Sequence, residues 1–394
     1  MWDFAVVGAG PAGARFARQA ARRGHDVVVF EQGTVGEPLA CSGHVSLDVW
    51  SYLPDAAGPD PAADRADTGT AANAERAGGT RAELFQNAIR GARFHVGGPE
   101  SRAYPFYKDR PVSNAIDRVG LDRALADGAA AAGADLREHH TVTSVTEHGD
   151  RASLEVSGPD GTETHEARLV AGCDGPNSRV RRSVGLPEPD ELLHGVLGFD
   201  PAPDHQDFVD VHLTVPRFFA WRIPRGDAGV EYGLAARPGA DGADDADDAG
   251  PQVGERFESL VADYGAEIDR RCSGAIPIGP PETVTGDRTL LIGDAAAQTK
   301  PFTGGGIRYG MTAADCAART VDPADPATLA AYEDAWRDEL AREIRLGHLV
   351  RRAYSLPAPV QRLGLRAFAG EIGVHMDRPT SLFSRAQLRA MLPF

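Results

Sequence analysis

Lysine is almost missing from this sequence. Only Lys108 and Lys300 occur among 394 residues, so arginine carries nearly all the positive charge. Cysteine is scarce as well: Cys41, Cys173, Cys272 and Cys316 lie far apart and form no CxxC pair. That spacing offers no metal site, and a disulfide framework is not expected in so long a chain. No metal is therefore expected, and the cytoplasm is the expected compartment. No apolar run approaches the length needed to span a bilayer. The first residues lead straight into a strand, residues 2–8, so no signal peptide is expected ahead of the fold. Any membrane contact would be peripheral, on the inner face. Positive charge is in deficit: 57 acidic residues against 41 basic ones leave a net charge of -16, which argues against nucleic acid as a partner.

Hydrophobic residues make up 42% of the chain, enough for a globular core spread over two or three domains or one interleaved fold. Two stretches break the pattern. Residues 55–80 and 239–250 are rich in Asp, Ala and Gly and read as solvated surface loops. An acidic surface nearly empty of lysine is like that of an extreme halophile, which suggests a habitat and says nothing of catalysis.

Chemistry begins at the N-terminus. An apolar strand at residues 3–7 runs into Gly8-Ala-Gly10-Pro-Ala-Gly13, a helical stretch follows at residues 14–23, and a β-branched strand at 26–30 ends in Glu31. This β-α-β order makes the G-x-G-x-x-G a dinucleotide signal. Gly8, Gly10 and Gly13 let the backbone turn tightly toward a pyrophosphate, the helix N-terminus offers it free N–H groups, and Glu31 can accept from ribose hydroxyls. Two later segments decide between NAD and FAD. Leu290-Leu-Ile-Gly-Asp294 is a strand ending in Gly-Asp, followed by Gly304-Gly-Gly306-Ile307. In FAD enzymes of the glutathione-reductase-like class such an aspartate holds the ribityl chain. Gly172-Cys-Asp-Gly-Pro-Asn-Ser-Arg-Val180 resembles the Asp-Gly fingerprint of flavoprotein hydroxylases. Three fingerprints in order point to FAD. Arg118 and Asp122, four apart at a helix start, read either as an ordinary ion pair or as an arginine steered toward FAD.

Two further segments resemble the geranylgeranyl reductases, which saturate isoprenoid chains of lipids. Cys41-Ser-Gly-His-Val-Ser46 is similar to that family's Cys-x-Gly-x-x-Ser flavin loop. Pro216-Arg-Phe-Phe-Ala-Trp221-Arg-Ile-Pro224 is similar to its Pro-x-x-Tyr-x-Trp-x-Phe-Pro strand, with Phe219 and Ile223 where the family has tyrosine and phenylalanine. The loss of that hydroxyl weakens any claim for a phenolic proton donor. The resemblance covers nearly the whole chain outside the acidic loops. It implies FAD contacts at Gly8, Gly10, Ala12, Gly13 and Glu31, and further ones at Cys41, Ser42, His44 and Arg118. Val142, Asp294, Gly306 and Ile307 complete that set, and Phe219, Trp221 and Pro224 would line the substrate.

The implied reaction is demanding. An isolated alkene has no carbonyl to accept charge, so a hydride from reduced flavin N5 needs a proton delivered to the other carbon. Aromatic faces at Phe218, Phe219 and Trp221 would favour carbocation character; the plainer reading makes them sheet core. Cys41 is a candidate proton donor, a group tuning the flavin, or a small packing residue. His44 is an alternative donor, or a loop histidine bonded to backbone.

The expected fold is α/β: a Rossmann-like FAD-binding domain, of the glutathione reductase and p-hydroxybenzoate hydroxylase type, interleaved with an antiparallel substrate sheet. Residues 1–82, 100–185 and 275–325 fall to the FAD domain, 83–99 and 186–274 to the substrate sheet, and 326–394 to a helical C-terminus with a basic piece at 342–352. The implied substrate is an isoprenoid glycerolipid precursor of archaeal membranes, with NADPH and ferredoxin both open as electron donors. Two rivals stand: a flavin monooxygenase or halogenase, for which Lys108 and Lys300 are the only lysines, and a prenyl-lipid escort without flavin chemistry.

Overall fold

The computed structural model describes residues 1–38, 41–54, 79–237 and 253–371. Most of both acidic loops and the end of the C-terminal region lie outside the described residues.

The N-terminal strand Trp2–Val7 sits at the centre of a seven-stranded sheet. Its parallel neighbours are Val27–Phe30 and the second half of the long strand Gly161–Gly172, which also pairs in parallel with Thr289–Leu291. Val27–Phe30 pairs in parallel with Asp135–Arg137 at the edge. Parallel strands are covered on both faces, which is why Val27–Phe30 is apolar and buried throughout. The first half of Gly161–Gly172 turns outward in an antiparallel meander with Ala152–Gly158 and Thr141–Glu147. The helix Pro11–Arg22 packs on this sheet between Arg118–Ala131 and Ile307–Thr320. A two-pronged ion pair from Arg15 to Asp315, at 2.6 and 3.1 Å, fastens it to the latter.

A second sheet has eight strands. Its middle runs Arg270–Ile278, Glu191–Asp200, Val230–Ala236, Ala220–Pro224 and Phe208–His212, all antiparallel. Gly91–His95, Ala103–Tyr107 and the short Gly370–Glu371 extend it. Two boundaries differ from those read in the sequence. Ala103–Tyr107, given to the FAD domain, pairs here, and Arg270–Ile278 runs past residue 274. The strands Phe85–Ile89 and Gly91–His95 do not pair with each other. The first joins Ser113–Ile116 and His44–Ser46 in a three-stranded sheet beside the site.

The helix Leu329–Arg352 buries Tyr332, Trp336, Leu340 and Ile344 over Ile307–Thr320. Its basic end is partly tied into the protein. Arg351 is buried and bonded to both carboxylate oxygens of Glu191, at 2.6 and 3.2 Å. Among the described residues no helix is long and apolar enough to cross a membrane.

Candidate active site

The glycine turn is fixed by close backbone approach. Gly8 has φ +97°, and a Cβ there would stand 2.5 Å from the carbonyl oxygen of Cys173. A Cβ on Gly13 would collide with the carbonyl oxygen of Gly8. Gly10 meets nothing within 4 Å, so the space above the turn is open. Pro11–Arg22 starts here with no side-chain cap and no acid in its first turn, leaving N–H groups for an anion. Glu31 is anchored on both oxygens: the Ala9 N–H donates to Oε2 at 2.8 Å and the Gly33 N–H to Oε1 at 3.3 Å. Val142 is buried in the core on Thr141–Glu147, next to the segment that pairs with Glu31.

All three fingerprints converge on this turn. The middle one touches Gly8 through Cys173. Its aspartate, Asp174, is occupied locally, accepting from Ser178 Oγ and the N–H groups of Arg179 and Val180. The third reaches it through Gly293 (φ +72°), where a Cβ would stand 2.9 Å from that of Ala12. Asp294 then lies against Gly306, whose Cβ would collide with Oδ1. Gly306 precedes Ile307 at the start of Ile307–Thr320, so this carboxylate sits at a helix N-terminus.

Arg118 and Asp122, both 6% exposed, form a buried pair at 2.8 Å rather than a surface one. Arg118 Nε has no hydrogen-bond partner among the described residues. The field of Arg118 reaches Cys41, Asp122 and Asp294. Burial pushes Asp122 and Asp294 up to about 6, against the pull of Arg118. Burial also raises the Cys41 thiol; Arg118 pulls it back, while Asp294, Asp122 and Glu231 push the same way as burial. At neutral pH that thiol holds its proton.

The loop carrying Cys41 is seated by its glycine. A Cβ on Gly43 would strike the Ile116 carbonyl oxygen, and the Ile116 N–H donates to Gly43 O at 2.9 Å. Ser42 Oγ accepts from the His44 N–H at 3.2 Å. His44 itself lies in the short strand His44–Ser46, its Nε2 2.8 Å from Ser113 Oγ.

The aromatic strand faces this loop through one carboxylate. Glu231, fully buried, accepts from Trp221 Nε1 at 3.0 Å and from the Gly43 N–H at 3.5 Å, with Arg225 Nη1 at 3.7 Å. Gly233, on the neighbouring strand, leaves room for the Trp221 ring to lie across the sheet; a Cβ there would collide with the ring. Phe219 stacks on Phe218 at 4.5 Å and meets Trp221 and Tyr354 edge-on, each at 5.7 Å. Pro224 ends the strand, its carbonyl accepting from Asn87 Nδ2 at 3.1 Å. Cys272, on Arg270–Ile278, is near enough to feel Glu231 and Cys41, and burial first of all pushes its thiol up to about 11. Glu231 and Cys272 were absent from the residues singled out by sequence. An acid inside the apolar run Val230–Ala236 was the available signal for Glu231.

A family model described as an FAD binding domain matches residues 76–335, and a second of the same description matches residues 3–94. A digeranylgeranylglycerophospholipid reductase from Methanopyrus kandleri is 29% identical over 363 residues, covering 86% of each chain. A geranylgeranyl bacteriochlorophyll reductase-like structure from Thermoplasma acidophilum shares the fold, with a TM-score of 0.79, 19% identity and 99% of each chain covered. A flavin-dependent halogenase shares it less closely, with a TM-score of 0.64 and 20% identity over 98% of this chain and 71% of that one. These relatives bear out the resemblance read from the motifs. With more than half its length matched, the chain belongs to the FAD binding domain family and is an FAD-dependent oxidoreductase.

Proposed function

We propose that this enzyme saturates C=C bonds in the geranylgeranyl chains of archaeal membrane glycerolipid precursors. The observation that carries the reading is the Cys41 loop tied, through the Gly43 N–H and the buried carboxylate of Glu231, to Trp221 of the aromatic wall. The name of the Methanopyrus relative supports the substrate class.

The residues fit FAD. Glu31 is oriented for the ribose, the turn over Gly10 is open for the pyrophosphate, and Asp294 and Arg118 would hold the inner part of the cofactor. Gly13, Ala12, Gly306 and Ile307 shape that cradle, with Ser42 and His44 at its Cys41 side and Val142 at its far end. FAD, bound here and reduced, would supply the hydride equivalent needed at one alkene carbon. Cys41 holds the proton needed at the other carbon, with His44 as the second candidate donor. Phe219, Trp221 and Pro224 wall the prenyl chain, and the ring faces favour positive charge developing on the alkene. Water-poor surroundings keep Cys41 neutral, so the donor is charged with its proton before each turnover.

The halogenase reading needs a lysine at the reacting centre. Lys300 is 5% exposed, its Cε and Nζ folded against Gly305 within its own turn. The Cys41 loop has a use in the reductase reading and none in that one.

The test is anaerobic reduction of the purified flavoprotein in high salt, followed by addition of digeranylgeranylglyceryl phosphate and mass spectrometry of the lipid. Products heavier by successive pairs of hydrogens, with reoxidised flavin, are expected. An unchanged lipid beside oxygen-dependent flavin turnover would put the monooxygenase or halogenase first.

A further inference from the structure

Five of the seven exposed large apolar side chains among the described residues fall within one short stretch: Leu349, Leu356, Val360, Leu363 and Phe368. Leu363 is 70% exposed, the highest of these five. Most of them ride on the helix Ala358–Phe368, which buries only Gln361 against the protein. Within this helix Val360, Leu363 and Ala367 follow the i, i+3, i+7 spacing of one stripe and are exposed, with exposed Leu356 just ahead of the helix, so they form an apolar ridge facing solvent. A ridge of this kind on a soluble surface marks an interaction site.

Charge separates this stretch from the rest of the molecule. The whole chain has 57 acidic residues and a net charge of -16. Between Glu343 and Glu371 it has no acid at all, but it has Arg345, Arg351, Arg352, Arg362 and Arg366. Arg351 is tied inward to Glu191, while Arg345, Arg352, Arg362 and Arg366 are exposed. Arg362 and Arg366 lie one turn apart beside the apolar ridge.

The ridge is also connected to the aromatic wall. Tyr354, between Leu349 and Leu356, packs edge-on to Phe219 and donates through its hydroxyl to the Phe302 carbonyl at 2.8 Å. Gln361 Nε2 donates to the Tyr354 carbonyl at 2.8 Å, fastening the helix Ala358–Phe368 to the same residue.

We propose that residues 349–368 seat the enzyme on an anionic lipid bilayer, with the apolar ridge in the acyl boundary and the arginines among the headgroups. Apolar side chains beside arginines match such a surface on both counts, burial and charge. The choice of a bilayer over another occupant rests on the lipid-reductase reading. The placement brings a membrane-borne prenyl chain to the Tyr354–Phe219 side of the sheet.

Flotation of the FAD-loaded protein with phosphatidylcholine vesicles, with and without phosphatidylglycerol, tests the proposal. Wild type should float with the anionic vesicles, and less so at high salt. Val360→Asp with Leu363→Asp should lower partitioning at least about tenfold, with the flavin spectrum and melting curve unchanged. Arg362→Gln with Arg366→Gln should remove the preference for phosphatidylglycerol. The aspartate variant should still reduce detergent-dispersed lipid at the wild-type rate and fail on vesicle-embedded lipid. Wild type that stays in solution with every vesicle overturns the proposal. So does a dimer in sedimentation velocity that the aspartate variant dissociates, since a second copy would then own the face. Wild type that floats but leaves every lipid unreduced keeps the docking face and removes the reductase reading.

Discussion

The two faces of the eight-stranded sheet carry opposite kinds of polar chemistry. On the face under the helix Val253–Tyr264, Asp210 accepts two bonds from Arg93, at 2.7 and 2.9 Å, and one from His95 at 3.1 Å. Arg222 reaches both Asp210 and Asp204, and His212 bonds the Gly97 carbonyl and the Tyr264 hydroxyl. Every member has its partners. Burial alone would raise Asp210, but His95 and Arg93 hold it below the usual carboxylate range. His212 is pushed down to about 4 by burial and then by His95. A cavity of about 320 Å³ opens on this face beside His212 and Asp263. The opposite face, with Trp221 and Glu231, looks toward a centre where Arg118 Nε has no hydrogen-bond partner among the described residues and Asp122, Asp294, Cys41 and Cys272 are all shifted upward. A satisfied network is what stability builds; groups held away from their preferred charge state are what a site builds.

That contrast breaks most visibly at Asp210. Asp210→Ala strips one carboxylate from buried Arg222, half-buried Arg93 and buried His95, and should cost about 3 to 5 kcal/mol of stability. Chemical denaturation measures the loss; flavin binding by the folded fraction should be unchanged. The pH dependence separates the faces by sign. Asp210 titrates below its ordinary value, so its contribution is present at neutral pH and is lost as pH falls. Asp294 titrates at about 6, above its ordinary 3.8, so its contribution is present at low pH and is lost as pH rises through 6. Asp294→Asn should therefore stabilise the FAD-free protein by about 3 kcal/mol at pH 7.5 and by about half of that at pH 5. Thermal melts at the two pH values check this, and the same variant should retain FAD poorly.

Trp221→Ala should slow alkene reduction at least about tenfold, the loss of one cation-π wall of about 1.4 kcal/mol or more, without changing the flavin spectrum. Smallest is Glu231→Gln. The charge of Glu231 raises both Cys41 and Cys272, so its removal should move the onset of thiol alkylation to lower pH for both. An unmoved onset would mean that Glu231 does not couple the loop thiol to the strand thiol.

Local signals were read well, and non-local ones poorly. The first β-α-β unit was legible to within three residues, because a glycine turn starts its helix and β-branched residues mark its second strand. Arg118 was legible as a helix start. Ala103–Tyr107 was placed with the wrong sheet because nothing in five residues states which edge they will pair with. In the site, Cys41 and Trp221 were singled out through the two short motifs that carry the family resemblance. Glu231 and Cys272 were not, because pairing across neighbouring strands brings them to the Cys41 loop. Leu363 and Phe368 were missed for another reason: amphipathic spacing predicts a buried stripe as readily as an exposed one.

The central claim is that reaction occurs on the Trp221 face at the Cys41 loop. Its most direct test is a single anaerobic turnover, following flavin reoxidation by digeranylgeranylglyceryl phosphate in wild type, Cys41→Ala and Asp210→Asn. Cys41→Ala should bind FAD normally and reoxidise about 100-fold more slowly or worse, while Asp210→Asn matches wild type per folded molecule. Wild-type reoxidation by Cys41→Ala, or a loss confined to Asp210→Asn, would contradict the account.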